Sequence, residues 1–270
     1  QATFGPTDAD LTRLRQLRYS AWLTEQYNAA PSSQMSYYNW VANTLQEGTG
    51  TTTIREAWFL GALGGPDPQN NLLIHSDQLR QRVAFALSEI LVVSDQNSLL
   101  AQFPNGLAYY YDLLSNNAFG NYRTLLEQVT LSPAMGVYLN MMGNRRADLS
   151  QNIHPDENYA REINQLFSIG LVKLNLDGTP QLSGGQPIPT YNQAVITNFA
   201  HVFTGWKWSD CSAANFTSCG PDYTTGINFQ TPMAAFAAYH DNGTDPVNDI
   251  ANKQLLSYPG AVNGGVVANG

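Results

Sequence analysis

The chain has 270 residues, a formal net charge of −8, and only 13% Asp, Glu, Lys and Arg. Its hydrophobic share of 43% is enough to fill one large core or two smaller ones. The negative charge and the lack of a basic stripe argue against a nucleic-acid partner. No apolar run approaches the roughly 20 residues of a transmembrane helix, so no transmembrane segment is predicted.

Apolar residues at helical spacing predict helices along most of the first 210 residues. The first predicted helix is Asp8 to Asn28, which Thr7 and Asp10 open in a capping-box pattern. Glycines and prolines at 64–68 predict a loop, and Ser76 or Asp77 predicts the cap of the next helix. The inner face predicted for that helix is Leu79, Val83, Ala86, Leu87 and Ile90. The predicted helices after the first are 37–46, 53–63, 77–92, 106–117, 122–131 and 133–142.

The pattern changes in the second half of the chain. Pro155, placed at a first helical turn, predicts a helix over 156–171. A stretch rich in Gly and Pro predicts a β-hairpin near 173–189. Thr190 and Gln193 form a second capping-box pattern and predict a helix to Trp208.

These patterns together predict a mainly α protein. The expected architecture is a multi-helix orthogonal bundle with a short β-hairpin near 173–189 and a loop-rich C-terminal stretch. Residues 1–210 form the predicted helical core, and residues 211–270 a loop-rich continuation of an incomplete domain.

The two cysteines, Cys211 and Cys219, lie in a loop rich in Ser and Asn. Their spacing favours a small loop-closing disulfide, which is typical of proteins in oxidising compartments. No metal or cofactor is predicted. The nearest candidate ligand set matches no established spacing. That set is His154, Asp156, Glu162 and His201.

The densest polar cluster is the segment 154–162, HPDENYARE. A helical wheel places Glu162 at the edge of the buried face and Asn164 toward solvent. A partly buried carboxylate with a raised pKa can act as a general acid. The predicted catalytic residues are Glu162, Glu157 and Asp156, and the predicted substrate-binding residues are Asn158, Arg161, His154 and Trp206.

Structural roles would equally account for the charged residues of the segment 154–162. Glu162 would brace the helix by pairing with an arginine such as Arg123, Arg145 or Arg146. Glu157 and Arg161 have the spacing of an i,i+4 ion pair, and acids in a first turn complement the helix dipole.

Tyrosines form the run Tyr109 to Tyr111, and no helix can turn three consecutive side chains to one side. Some of these rings are therefore expected to be exposed or to line a groove. Sugar rings and protein partners both stack on such faces, and ordinary packing is the third interpretation.

Several segments resemble the bacterial domain-of-unknown-function 1800 family. They are QATFGPT at 1–7, LRQRVAFALSE at 79–89, AFGNYR at 118–123, HPDENYARE at 154–162, QLFSIGL at 165–171 and FTGW at 203–206. The resemblance implies an exported, helix-rich bacterial protein that is secreted, periplasmic or on the cell surface. It also implies that the chain begins inside the family domain and ends before a further helical segment. It implies no catalytic mechanism.

Two functions therefore stay open, and the sequence does not decide whether the protein is an enzyme. The first is an exported enzyme that acts on a polymer such as a polysaccharide, with Glu162 as acid or base. The alternative is a non-catalytic extracellular component with a structural, filament, adhesion or carbohydrate-binding role. Its partner would be a glycan or a protein at the cell surface, and self-assembly is compatible with it.

Overall fold

The computed structural model describes residues 2–63, 77–258 and 261–268. The chain divides into two compact units, Gln1–Ala134 and Met135–Gly270. In the described ranges, ten α-helices accompany three two-stranded antiparallel sheets. The predicted class, mainly α with a short β-hairpin, is confirmed. The division near residue 210 stays a prediction. The predicted loop at 64–68 and the candidate cap Ser76 lie outside the described residues.

Seven α-helices form the first unit as far as its residues are described. They are α1 Asp8–Asn28, α2 Gln34–Trp40, α3 Thr51–Leu63, α4 Gln78–Ile90, α5 Ser98–Gln102, α6 Pro104–Asn116 and α7 Tyr122–Leu131. Helix α6 is the centre of this unit, because α2, α3, α4, α5 and α7 all pack against it. Its side chains Leu107, Ala108, Tyr110 and Leu114 are buried in the core.

Helix α1 begins with the predicted capping box between Thr7 and Asp10, but it is not one straight rod. Arg18 has φ 66° and ψ 172°, which interrupts the helix. Arg13 and Glu25 then meet at 3.0 Å, although they are 12 positions apart. On a straight helix their backbones would lie about 18 Å apart. The segment is therefore two shorter helices joined by a sharp bend at Arg18.

Helix α4 turns a different face inward from the one predicted. Gln78, Gln81 and Ala84 are buried, whereas Ile90 is 43% exposed. The reason is a buried polar network: Gln78 donates to the Gly61 carbonyl at 2.7 Å, and Gln81 donates to Asp77 at 2.9 Å. Hydrogen bonding, which hydrophobic periodicity does not detect, has set the orientation of this helix.

The second unit contains three α-helices and short strand pairs. The helices are α8 Pro133–Tyr138, α9 Asn158–Gln165 and α10 Gln193–Val202. The strands are β1 Leu182–Ser183 with β2 Gln186–Pro187, β3 Trp206–Lys207 with β4 Ala234–Ala235, and β5 Asn252–Gln254 with β6 Val266–Ala268. The predicted hairpin near 173–189 is the β1–β2 pair. Helices α9 and α10 pack around Ala160, Ile196 and Ala200.

Both long helices predicted in this unit are shorter in the structure. Helix α9 begins three residues after Pro155, and α10 ends at Val202 rather than at Trp208. The cap of α10 is Asn192, whose side chain accepts from the Val195 N–H at 3.1 Å. The Thr190 hydroxyl, predicted to cap this helix, instead donates to the Gly170 carbonyl.

No helix in the described ranges combines the length and the apolar character that crossing a membrane would require.

Candidate functional site

The carboxylate of Glu157 ties the start of α9 to α10. It accepts from the Arg161 guanidinium at 3.0 Å, from the Gln193 side-chain amide at 2.8 Å and from the Thr197 hydroxyl at 2.9 Å. Gln193 and Thr197 are four residues apart on α10 and so share one face of it. These donors occupy both carboxylate oxygens, and the side chain thus acts as a brace between two helices.

Asp156 holds the backbone immediately before α9. Its carboxylate accepts from the Asn158 N–H at 2.8 Å, an arrangement that helps to start the helix. Its own N–H donates to the Asn144 side-chain oxygen at 2.9 Å. Asn144 is buried, and its amide also reaches the Asp156 carbonyl at 3.4 Å. Asp156 and Asn158 therefore lie in a turn that fixes where α9 begins.

Glu162 is half-buried, close to its position on the helical wheel. Its Oε2 atom is inaccessible to solvent and has no hydrogen-bond partner in the described part of the chain. The hydroxyl of Tyr191 has the same property. Burial and the negative charge of Glu162 raise the pKa of Tyr191, and the Arg161 charge opposes them.

The arginine brace considered for Glu162 does not occur among the described ion pairs. Arg146 instead pairs with Asp249 at 3.7 Å. The helical wheel is wrong at Asn164, which is 1% exposed and donates to the Ala160 carbonyl at 2.7 Å. The same wheel predicts Leu166 on the buried face, but this residue is 56% exposed, because α9 ends at Gln165 and the helical periodicity ends with it.

The other two predicted substrate-binding residues lie outside the Glu157 brace. His154 is exposed, and its Nε2 is 3.3 Å from the Asn152 side-chain oxygen. Trp206 is half-buried in β3, opposite Ala235 of β4, and its carbonyl accepts from Gly143 at 2.7 Å. No hydrogen bond in the described ranges joins either residue to Asp156, Glu157 or Glu162.

A more deeply buried polar cluster lies at the end of α10. It consists of His201, Asp241 and Lys253, of which Asp241 and Lys253 are 0% exposed. The Asp241 carboxylate accepts from Lys253 at 2.9 Å and contacts His201 Nδ1. Lys253 also donates to the Ile250 carbonyl at 2.8 Å. The cluster joins α10, the loop after residue 240 and β5.

The surroundings of Asp241 stabilise its charged form. Burial alone would favour the neutral acid, but hydrogen bonds from Ile250 N–H, Lys253, His201 and Gly243 N–H outweigh it. They hold the pKa of the Asp241 carboxyl below its ordinary value. We call this cluster the clasp: a buried carboxylate pairs with the Lys253 ammonium and contacts the His201 ring, and removing the lysine leaves a buried charge without compensation.

Thr204 and Gly205 complete the clasp. The Thr204 hydroxyl accepts from the Asp241 N–H at 2.9 Å and donates to the His201 carbonyl at 2.7 Å. Gly205 has φ +83°, and a Cβ there would lie 2.9 Å from the Cβ of His240. Only glycine allows this turn and this close approach.

Sequence reasoning missed the cluster, apart from naming His201 as an unsupported metal ligand. His201 and Asp241 are 40 positions apart, and Asp241 and Lys253 are 12 apart. No local periodicity connects such residues. One signal was present in the FTGW segment, whose Thr204 and Gly205 hold the Asp241 loop.

Cys211 and Cys219 form the predicted disulfide. Across the described residues, the one group of three potential metal ligands joins Asp210 to these cysteines. Their sulfurs are bonded to each other, so neither is available as a thiolate. No three of His154, Asp156, Glu162 and His201 form such a group.

Comparison with protein-family models gives a match to "Protein of unknown function (DUF1800)" over residues 1–254. The chain belongs to this family. The match continues beyond residue 210, where the quoted motifs end. No curated protein and no solved structure matches the chain.

The segments that carry the DUF1800 resemblance have structural roles. Glu157 is the brace, and Ala160 is buried between α9 and α10. Phe203 packs edge-on against Tyr159, with the ring centroids 5.0 Å apart. In the first unit, Phe4 packs against Trp58 at 5.3 Å. Each of these residues therefore contributes to packing or hydrogen bonding within its own unit.

Proposed function

We propose that this DUF1800 protein is an exported, non-catalytic component that binds a glycan or protein partner at the cell surface. One observation carries the proposal: the Glu157 carboxylate is occupied by Arg161, Gln193 and Thr197. A general base needs an oxygen free to approach the proton that it removes. A carboxylate with three intramolecular donors contributes to stability instead.

The other two predicted catalytic acids support the same proposal. The Asp156 carboxylate accepts from the Asn158 backbone N–H, a hydrogen bond that stabilises the start of a helix. The Oε2 atom of Glu162 is shielded from solvent, so a bulky polymer substrate has no direct approach to it. Glycoside hydrolysis requires two carboxylates that can approach one bond of the substrate, and the contacts of Asp156 and Glu157 favour a structural role for both.

Export is supported by the disulfide between Cys211 and Cys219, because disulfides persist mainly in oxidising compartments. It is tested by fractionating the native bacterium and probing the protein with a thiol-reactive label before and after reduction. Export predicts protein outside the cytoplasm that is labelled only after reduction. Cytoplasmic protein with free thiols would contradict it.

The non-catalytic role is tested by incubating the protein with neutral and acidic polysaccharides and measuring the release of reducing ends. We expect retention of the protein on at least one polymer or on a cell-surface protein fraction, without release. Glu157→Gln should lower the melting temperature, because a neutral amide no longer pairs with Arg161 and brings its own N–H donors. The matched control is Glu127→Gln, which alters an exposed acid of α7.

One result would overturn the proposal in favour of the exported enzyme. It is polymer cleavage that Glu162→Gln abolishes while the melting temperature stays within 1 °C, a margin on the order of the smallest effect expected from a surface substitution. Cleavage of any polymer by the unaltered protein, traced to any residue, also rejects a non-catalytic role.

A further inference from the structure

A cavity of about 470 Å³ opens in the first unit among α2, α3, α4 and α6. This volume lies within the range of about 300–1,000 Å³ that is usual for small-molecule sites. None of its described lining residues belongs to the predicted polar site of 154–162. The residues used below are Gln34, Arg55, Trp58, Phe85, Glu89 and Tyr111.

Aromatic rings form one wall of the cavity, and their positions are fixed by contacts with one another. The Trp58 indole N–H donates to the Tyr111 hydroxyl at 3.1 Å. The Trp58 ring lies 5.6 Å from the Phe85 ring, at an interplanar angle of 49°. Tyr111 is one of the three consecutive tyrosines of α6, and it is half-buried at this wall. Rings fixed in this way form a preorganised apolar surface.

A polar group faces the same space without a partner of its own. Gln34 is only 9% exposed and is one of the residues that line the cavity. Within the described ranges, its side-chain amide makes no hydrogen bond. Its backbone N–H, in contrast, donates to Asp112 at 2.7 Å, which fixes the residue in place. A largely buried amide with two donors and an acceptor is stabilised when a ligand supplies hydrogen bonds.

The ionic groups of the lining determine which ligand charge is favoured. Glu89 is exposed and has no ion pair among the described residues, whereas Arg55 pairs with Asp95. The lining therefore carries two acids and one base, a local excess of negative charge. An anionic ligand would be repelled, in a chain whose net charge is already −8.

We infer that this cavity binds one or two rings of a neutral saccharide. The carbon–hydrogen face of a sugar ring packs on the aromatic wall, while its hydroxyls bond to the Gln34 amide and the Glu89 carboxylate. A wholly apolar ligand would leave the Gln34 amide buried and unpaired, which costs free energy. The inference deepens the proposed binding role and rests on it.

The test is calorimetric titration of the full chain with neutral oligosaccharides of about two to six units, drawn from β-1,4-glucan, β-1,3-glucan, α-1,4-glucan and N-acetylglucosamine series. Gln34→Leu keeps the size of the side chain and removes the amide. Glu89→Gln removes the charge and replaces one acceptor oxygen by an N–H donor group. We expect each to weaken binding about tenfold, the size of one well-formed hydrogen bond.

Matched controls are Gln102→Leu and Glu127→Gln, which make the same changes at exposed positions outside the cavity. Both should bind with unchanged affinity, and all four variants should keep the circular dichroism of the parent. Ser88→Phe, at the lining of α4, adds a ring inside the cavity and should abolish binding. It keeps the test decisive if Gln34→Leu misfolds.

Three outcomes reject the inference. They are no binding of any neutral oligosaccharide, binding that survives Gln34→Leu, Glu89→Gln and Ser88→Phe unchanged, and a preference for uronic acid oligomers over neutral ones. None of these touches the proposed non-catalytic role, which fails only if polymer cleavage is observed. The two claims are therefore separable in one set of measurements.

Discussion

Asp112 of the first unit and Asp241 of the second unit are both buried, and their surroundings affect their charge in opposite ways. In the first unit, the donors to Asp112 among the described residues are all neutral: the Ser33 hydroxyl at 2.6 Å and the N–H groups of Gln34 and Met35. Burial raises its pKa to about 6, against the effect of these hydrogen bonds. In the second unit, Asp241 has Lys253 and His201 as neighbours, and its pKa is lowered.

The comparison shows two solutions to holding chain segments together. Asp112 anchors the first turn of α2 to α6, where regular helices supply most of the remaining order. Asp241 holds a loop, a short strand and the end of α10, where little regular structure is present to do so. Where secondary structure is sparse, buried charge and a disulfide replace it.

The largest expected effect comes from breaking the clasp of the second unit. Lys253→Met leaves the Asp241 charge buried without its ammonium partner, which typically costs about 3–5 kcal/mol of unfolding free energy. Urea unfolding followed by circular dichroism measures the loss. Lys173→Met, at an exposed lysine, is the matched control and should change stability by less than about 0.5 kcal/mol. A loss below about 1 kcal/mol for Lys253→Met would show that the clasp is dispensable.

The second effect is a pH dependence of opposite sign in the two units. The Asp112 carboxyl has a pKa of 3.8 as its ordinary value and about 6 when folded, so the folded state holds its proton more tightly. Its contribution to stability is therefore fully present below about pH 4 and is lost as the pH rises to about 6, by roughly 3 kcal/mol. The lowered pKa of Asp241 acts inversely, so its contribution is lost as the pH falls below about 4.

Carbon-13 NMR of labelled aspartate carboxyls measures both groups in one experiment. The Asp112 signal should titrate with a midpoint near pH 6 and the Asp241 signal below pH 3.8. A midpoint below pH 4 for Asp112 would mean that its three neutral donors outweigh burial, and the contrast between the units would disappear.

The third effect is confined to the second unit, because both cysteines lie there. Cys211 and Cys219 are separated by 8 positions. Opening a loop of this size is expected to cost about 2.5 kcal/mol through the entropy of the unfolded chain. The double variant Cys211→Ser/Cys219→Ser should melt lower than the parent and lose all sensitivity to reductant. The contrary outcome is that the parent protein has the same melting temperature with and without reductant.

The smallest effect is expected at the exposed ion pair of the first unit. Arg13 and Glu25 meet at 3.0 Å, with 53% and 43% of their side chains exposed. Solvent and salt screen such pairs, so Glu25→Gln should cost less than about 0.5 kcal/mol in urea unfolding. A cost above about 1 kcal/mol would instead mean that this pair is needed to hold the bend of α1 at Arg18.

Local sequence signals were sufficient to predict an element when the residues that start and stop it lie within it or directly beside it. Helix α7 has its predicted bounds, Tyr122–Leu131, because the Asn121 side chain caps its start and Pro133 follows its end. The capping box of Thr7 and Asp10 and the hairpin near 173–189 are likewise present. Each of these features depends on atoms within a few residues of one another.

Predictions failed where distant polar groups compete with hydrophobic periodicity. Helix α4 buries Gln78 and Gln81 because Gly61, Asp77 and Ser115 offer them hydrogen bonds. In the candidate site too, hydrogen-bond partners that are distant in the sequence determine the role of a side chain. The wheel identified Glu162 as a boundary residue, but only the packing of α10 gives Glu157 its donors Gln193 and Thr197.

The family, the mainly α class, most of the helices and the cysteine pair could be predicted from the amino-acid sequence. These depend on composition, on periodicity and on motifs that can be read along the chain. The carboxylates that act as braces, the polar groups that are buried and the position of the cavity became clear only from the folded structure. The physical reason is that a side chain's charge state and freedom depend on its neighbours in space. Asp241 and Lys253 acquire those neighbours only when the chain folds.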